Sequence, residues 1–116
     1  MAAEVMSVSL PAPQIPDGPD GNPIVSVEYE VYGLVQGLGF PKHAKDQAER
    51  LGLGGWVKNT RQGTIAGRLE GPKNQLIQMV QWLAREGSPG SKVERCELRN
   101  WEFTVVQTFR NFSVRF

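Results

Sequence analysis

A glycine-rich stretch followed by a proline is the part of this sequence best suited to chemistry. Glycines occur at positions 33, 37 and 39, and Pro41 follows. Proline fits the first position of a helix, where its missing N–H would be unpaired anyway. Glycines let backbone N–H groups turn inward, and a helix N-terminus adds unpaired donors and a partial positive charge. The stretch predicts a loop that can bind an anion, although tight turns also use glycine for conformational reasons alone.

The elements on either side of the loop are a strand and a helix. Apolar and polar residues alternate from Val25 to Tyr32, which is typical of a half-buried strand with Val25, Val27, Tyr29 and Val31 on its inner face. Residues 41–51 suit a helix that ends at Gly52, because Ala44, Ala48 and Leu51 share one face.

The rest of the chain predicts four more strands and a second helix. A strand over 54–60, with Trp56 in the core, turns through 61–63 into a strand over 64–70. A helix opens at Pro72 and ends near Gly87 with an apolar stripe. In a strand predicted over 93–103, the alternation of apolar residues shifts by one position between Val93 and Cys96, which suggests a bulge. Apolar residues alternate again over 112–116, which predicts a fifth strand. This order predicts an α+β sandwich with both helices on one face of an antiparallel sheet.

Residues 1–23 differ from the rest in composition. They contain five prolines and no sustained apolar period, so we expect a disordered Pro- and Gly-rich tail before a domain spanning 24–116. The net charge is +1, and removing the negative charges of Glu4, Asp17 and Asp20 leaves +4 on the remainder. That is a mild bias towards anionic partners, well below the charge of a typical nucleic-acid binder.

Cysteine and histidine usage excludes several classes of site. One cysteine, Cys96, and one histidine, His43, rule out a disulfide framework and a Cys/His metal cluster. Cys96 is predicted to be a buried strand residue. The N-terminal residues show neither a basic segment nor a long apolar run, so no signal peptide or membrane span is predicted and we expect a cytoplasmic location.

Several separated motifs resemble the acylphosphatase family in order and spacing. They are Tyr32 to Phe40, Gly55 to Thr60 and the turn 62–64, followed by 69–72, 82–83, 87–89 and 112–116. The resemblance implies a ferredoxin-like βαββαβ fold and hydrolysis of carboxyl-phosphate anhydrides without a metal or cofactor. It also implies a small acyl phosphate, or inorganic phosphate or sulfate, as the ligand.

The resemblance also implies the site residues. The backbone N–H groups of the loop hold the phosphate together with an arginine at the loop's end, and Asn59 orients the attacking water. The loop consists of Val35, Gln36, Gly37, Leu38, Gly39 and Phe40. A strand-end asparagine also has a structural interpretation, as a side-chain cap of the following turn.

One position departs from the family pattern. Pro41 occupies the place of the family's arginine, which removes a guanidinium and also a backbone N–H. Loss of one preorganised donor costs on the order of a hundredfold to a thousandfold in rate, so weak or absent activity is predicted. Lys42 is a possible compensating cation, but one helical step rotates it by roughly a quarter of a turn. We expect His43 to be placed worse still.

Two alternatives to catalysis follow from the same residues. The domain could bind phosphate, another anion or a partner protein at the loop without turnover, since Pro41 removes the key cation. RNA binding through the sheet is disfavoured, because the predicted strand 64–70 offers no aromatic residue. No nucleic acid or membrane partner is predicted, and the expected state is a monomer.

Overall fold

Five strands and two helices follow the predicted order. The computed structural model describes residues 23–104 and 107–115. The elements are β1 (Ile24–Leu34), α1 (Phe40–Arg50), β2 (Gly54–Asn59), β3 (Ile65–Pro72), α2 (Lys73–Arg85), β4 (Lys92–Thr104) and β5 (Phe112–Arg115). Apart from Pro23, the predicted tail lies outside the described residues, as does Phe116 of the predicted last strand.

The strands form one sheet in the order β4-β1-β3-β2-β5. The first four are antiparallel neighbours, whereas β5 runs parallel to β2, with Gly55 opposite Phe112 and Val57 opposite Val114. β4 runs antiparallel to β2, so it ends at the edge of the sheet where β2 begins. β5 starts from that same edge and therefore runs parallel to β2. The predicted ferredoxin-like α+β sandwich is confirmed, and the fifth strand makes the sheet mixed.

Local backbone geometry moves two predicted helix starts by one residue and confirms the predicted bulge. α1 begins at Phe40, one residue early, because Gly39 adopts a left-handed conformation (φ 69°) that turns the chain into the helix. Pro41 is therefore its second residue. Pro72 ends β3, and α2 begins after it. The bulge suggested in β4 is confirmed by two register shifts against β1, and Asn100 beside one of them has φ 57°.

The core lies between the two helices and one face of the sheet. The four inner residues predicted for β1 are buried there with Ala44 and Ala48 of α1 and the apolar stripe of α2. Tyr29 is 1 % exposed and its hydroxyl donates a hydrogen bond of 3.0 Å to the Trp56 carbonyl. Burial raises the Tyr29 pKa well above its usual value.

Trp56 was predicted in the core, and that prediction is wrong. Its ring is half-buried on the opposite face of the sheet, where the Arg115 guanidinium lies 4.6 Å and the Lys58 ammonium 5.6 Å from the ring centroid. Strand alternation puts Trp56 on this face because its neighbour Val57 is fully buried on the other.

The face of the sheet without helices is covered by charged side chains. Arg68 pairs with Glu28 at 3.2 Å and with Glu102 at 3.4 Å. Arg99 pairs with Glu30 at 3.2 Å and also contacts Glu97. Burial raises the pKa of Glu30, but hydrogen bonds from Thr64 and Arg99 outweigh it and the pKa is lowered. No helix in the described ranges is long and apolar enough to cross a membrane.

A Glu30→Gln variant tests the role of this carboxylate. Because the folded-state pKa is lowered, ionised Glu30 stabilises the protein above its ordinary pKa, and that stabilisation is lost as the pH falls through the folded value. We expect the variant to unfold about 1 kcal/mol more easily in urea at pH 7. The difference should narrow below pH 4.5, the reference value for glutamate. Glu94→Gln, at an exposed position of β4, is the control. An equal Glu30→Gln difference at pH 7 and pH 3 would contradict the assignment.

A Gly67→Ala variant tests the close approach inside the sheet. A Cβ at Gly67 would overlap the Trp56 carbonyl oxygen and the Tyr29 hydroxyl, neither of which can move without breaking their hydrogen bond. The free energy of unfolding in urea should fall by about 2 to 3 kcal/mol. Ser113→Ala, at an exposed position, should change it by less than about 0.5 kcal/mol. A Gly67→Ala protein as stable as the parent would refute this packing.

Candidate functional site

The loop between β1 and α1 contains two glycines that it requires. Gly37 has φ 79° and Gly39 has φ 69°, a region that side chains with a Cβ rarely adopt. A Cβ built on Gly37 would meet no atom within 4 Å, so this part of the loop borders open space. The buried residues Val35 and Phe40 anchor the loop at its two ends.

The backbone N–H groups of this loop are unpaired. Within the described part of the chain, the amides of residues 36–40 and of Lys42 donate no hydrogen bond, and the first helical bond runs from the His43 amide to the Gly39 carbonyl at 3.1 Å. No acidic residue occupies the first turn of α1. The free donors and the helix dipole therefore make this end of α1 favourable for an anion.

The side chain of Gln36 fastens the loop to the turn between β2 and β3. Its Nε2 donates hydrogen bonds of 2.8 Å to the carbonyl oxygens of both Thr60 and Thr64. The turn follows directly after Asn59, so these two bonds hold Asn59 and the loop at the same end of the sheet. The sequence analysis assigned Gln36 only a backbone role, because nothing local to the loop indicates where its side chain reaches.

Two threonines close the turn and connect it to the charged face. The Thr60 and Thr64 hydroxyls are 2.6 Å apart, and the Thr64 amide donates to the Thr60 hydroxyl at 3.1 Å. The Thr64 hydroxyl also donates to Glu30 at 2.6 Å. Sequence reasoning missed these roles, since the three side chains belong to segments that meet only in the sheet.

Asn59 is the last residue of β2 and is exposed. The alternative role as a cap of the following turn falls to Thr60, whose carbonyl accepts from Gly63 and whose hydroxyl accepts from Thr64. Among the described residues, the Asn59 side chain has no hydrogen-bond partner. Its carboxamide is therefore available to a ligand or a water molecule.

The side chains considered as replacement cations differ in position. Pro41 is half-buried and Lys42 is exposed. Arg61, which follows Thr60 in the turn after β2, is a further exposed cation, and neither Lys42 nor Arg61 has an ion pair to any described residue. That His43 is placed worse than Lys42 for binding an anion stays a prediction. A Cβ on Gly39 would lie 3.6 Å from its Cδ2 and 4.0 Å from its Nε2, so the imidazole lies beside the loop.

An aromatic contact between α1 and α2 lies at the end of the loop. The Phe40 and Trp82 rings meet edge to face, with 5.5 Å between centroids and an interplanar angle of 63°. Leu38 at the tip of the loop is 38 % exposed, whereas Val35 and Phe40 at its two ends are buried. The loop is thus buried at its two ends and exposed at its tip.

Cys96 lies apart from this site. It is buried in the core, as predicted, and burial followed by the charge of Glu97 raises its pKa to about 12. Such a thiol is not a nucleophile near neutral pH. Residues 23–104 and 107–115 contain no group of three or more His, Cys, Asp or Glu side chains arranged to hold a metal ion.

Comparison with known proteins gives consistent matches. The acylphosphatase family model matches residues 27–114. Acylphosphatase-2 of Xenopus tropicalis is 43 % identical over 91 residues, which cover 78 % of this chain and 88 % of that protein. The crystal structure of the acylphosphatase from Bacillus subtilis superimposes with a TM-score of 0.72 at 32 % identity, covering 79 % of this chain and 99 % of that one.

A second solved structure agrees. The acylphosphatase from Coxiella burnetii gives a TM-score of 0.69 at 33 % identity, over 80 % of this chain and 94 % of that chain. The matched region contains both the loop before α1 and the turn after β2. This chain therefore belongs to the acylphosphatase family.

Proposed function

We propose that this protein hydrolyses the carboxyl-phosphate bond of acyl phosphates without a metal, at a rate strongly reduced by Pro41. Membership of the family supports the reaction class. The observation that carries the proposal is the set of unpaired amides at residues 36–40, held by Gln36 close to the turn that follows Asn59.

The loop amides and the dipole of α1 bind the phosphoryl oxygens, whose charge must be stabilised in the transition state. Asn59 holds a water molecule by its carboxamide, which does not repel an anionic substrate as a carboxylate would. The water oxygen bonds to phosphorus while the phosphorus–oxygen bond to the acyl group breaks. The acyl group leaves as a carboxylate, and phosphate keeps the protons of the water. A carboxylate is a weak base, so no general acid is required.

Pro41 limits the rate in this proposal. At the second position of α1 it supplies neither a guanidinium nor an N–H, whereas the family pattern has an arginine there. Lys42 is exposed one residue further on, and its ammonium is a point charge without the planar fork of arginine.

The second candidate function is anion or partner binding without turnover. The observation in its favour is again Pro41, because the amides that bind an anion remain while the group that most favours the transition state is missing. A monomeric state and a cytoplasmic location belong to both candidates and rest on the sequence alone.

Variants at position 41 test the limitation on rate. Pro41→Ala restores the N–H alone, and Pro41→Arg restores the N–H and the guanidinium. With benzoyl phosphate as substrate, we expect a low kcat/KM for the parent, a modest rise for Pro41→Ala, and a rise of about a hundredfold or more for Pro41→Arg.

The control for these rates is Asn59→Ala in the Pro41→Arg background, which should remove the gain if Asn59 orients the water. Parent turnover near about 10 s⁻¹, a usual enzymatic rate, would contradict the role given to Pro41. Equal rates for Pro41→Ala and Pro41→Arg would show that the guanidinium contributes nothing.

Phosphate titration followed by amide NMR tests the loop itself. Added phosphate should shift the amide signals of residues 36–40 and Lys42, and leave those of Arg68 and Arg99 on the charged face unchanged. Gln36→Ala should weaken binding severalfold, because the loop loses both bonds to the turn. Loop amides that do not respond to phosphate would exclude both candidate functions at this site.

A further inference from the structure

His43 lies beside the loop of residues 35–40, called the anion loop below, because of its position on the helix. Its amide makes the first bond of α1, to the Gly39 carbonyl four residues earlier, at 3.1 Å. Side chains on a helix lean towards its N-terminus, so a residue at this position reaches back over the preceding turn. The proximity of its Cδ2 and Nε2 to Gly39 follows from this geometry. His43 is exposed, and its ring lies beside Gly39, one of the loop residues whose amides are unpaired.

Most charged groups on α1 next to His43 and on the elements packed against α1 are basic. On α1 they are Lys42 next to it and Asp46 three residues on, and the elements packed against α1 are β2, β5 and α2. The charged side chains of those three elements are Lys58, Arg115, Lys73 and Arg85, all basic. Of these, Lys58 and Arg115 lie over Trp56 on the opposite face of the sheet. No described carboxylate lies within ion-pair distance of His43. A positive charge on the imidazole therefore has no fixed partner in the described structure.

We propose that His43 supplies a switchable positive charge to the anion loop, so that the loop binds a dianion more tightly at acid pH than at neutral pH. This rests on the proposed function, and it assigns to His43 part of the role that Pro41 leaves unfilled. Histidine is the side chain that ordinarily changes its charge between pH 5 and 8. His43 is the chain's one histidine, so a pH dependence of binding in that range has a single ordinary side-chain source.

Anion binding and protonation of His43 promote each other. Without an anion, a positive charge on the imidazole faces the free amides and the positive end of α1, and it has no ion-pair partner among the described residues. With an anion bound, the same charge is attracted to it. Thermodynamic linkage requires that protonation raises anion affinity by the factor by which the anion favours protonation. The two effects can be measured separately.

Sulfate is the probe, because it stays a dianion from pH 5.5 to 7.5 whereas phosphate changes its own charge. We expect sulfate to shift the amide signals of residues 36–40, with a Kd about three- to tenfold lower at pH 5.5 than at pH 7.5. This is the range for one charge acting on a dianion a few ångströms away through water and salt of about 0.1 M. At pH 6.5, saturating sulfate should also move the His43 ring signals towards those of the protonated form.

Three variants control the titration. His43→Gln should abolish the pH dependence, and its exposed position lets the amide spectrum confirm an unchanged fold. His43→Lys should bind sulfate with a Kd that no longer varies over this pH range. Lys42→Gln should weaken binding at both pH values while keeping their ratio.

The outcomes separate this inference from the proposed function. If sulfate shifts the loop amides with the same Kd at both pH values, or if His43→Gln keeps the full pH dependence, the role of His43 is overturned and the anion loop stands. If sulfate shifts no loop amide at either pH value, the anion loop itself fails and the role of His43 falls with it.

Discussion

The side-chain amide of Gln36 sets the position of the candidate site. Its Nε2 bonds to two carbonyl oxygens of the turn after β2, at sequence separations of 24 and 28 residues. Val35 and Phe40 bury the ends of the loop, but burial fixes only how deep the loop lies and not which neighbour it faces. The two amide hydrogen bonds direct it towards the turn that follows Asn59. A chain of hydrogen bonds through Thr60, Thr64 and Glu30 then links this turn to the charged face of the sheet.

Pro41 affects folding and the proposed chemistry in opposite ways. The N–H at the second position of a helix has no intrahelical partner, so a proline there removes nothing that the fold uses. Its fixed φ also suits the helical conformation. Under the proposed function, the same residue offers an anion at the loop neither an N–H nor a cationic side chain. The fold therefore tolerates a residue that the proposed reaction would disfavour.

The two faces of the sheet are stabilised by different interactions. The helix-covered face holds the apolar core, and Tyr29 uses its one polar group inside it by donating to a backbone carbonyl. On the other face, arginines and glutamates alternate across neighbouring strands and pair with one another. These pairs are partly exposed and each contributes little by itself. They link β1 to β3 and β4, and β3 to β4.

The sequence by itself determined the order of elements, the fold class and the inner face of β1, because alternation and helical periodicity are local properties of the chain. It also located the loop and Asn59 through motifs in matching register. Local patterns did not give the direction of β5, which depends on the end of the sheet at which β4 stops. They misplaced Trp56, since an apolar ring can also be covered by cations on the outer face. They also did not show that the His43 ring reaches back over Gly39, the glycine that turns the chain into the helix. Only the tertiary structure decided these points, because each depends on contacts between groups that the chain brings together in folding.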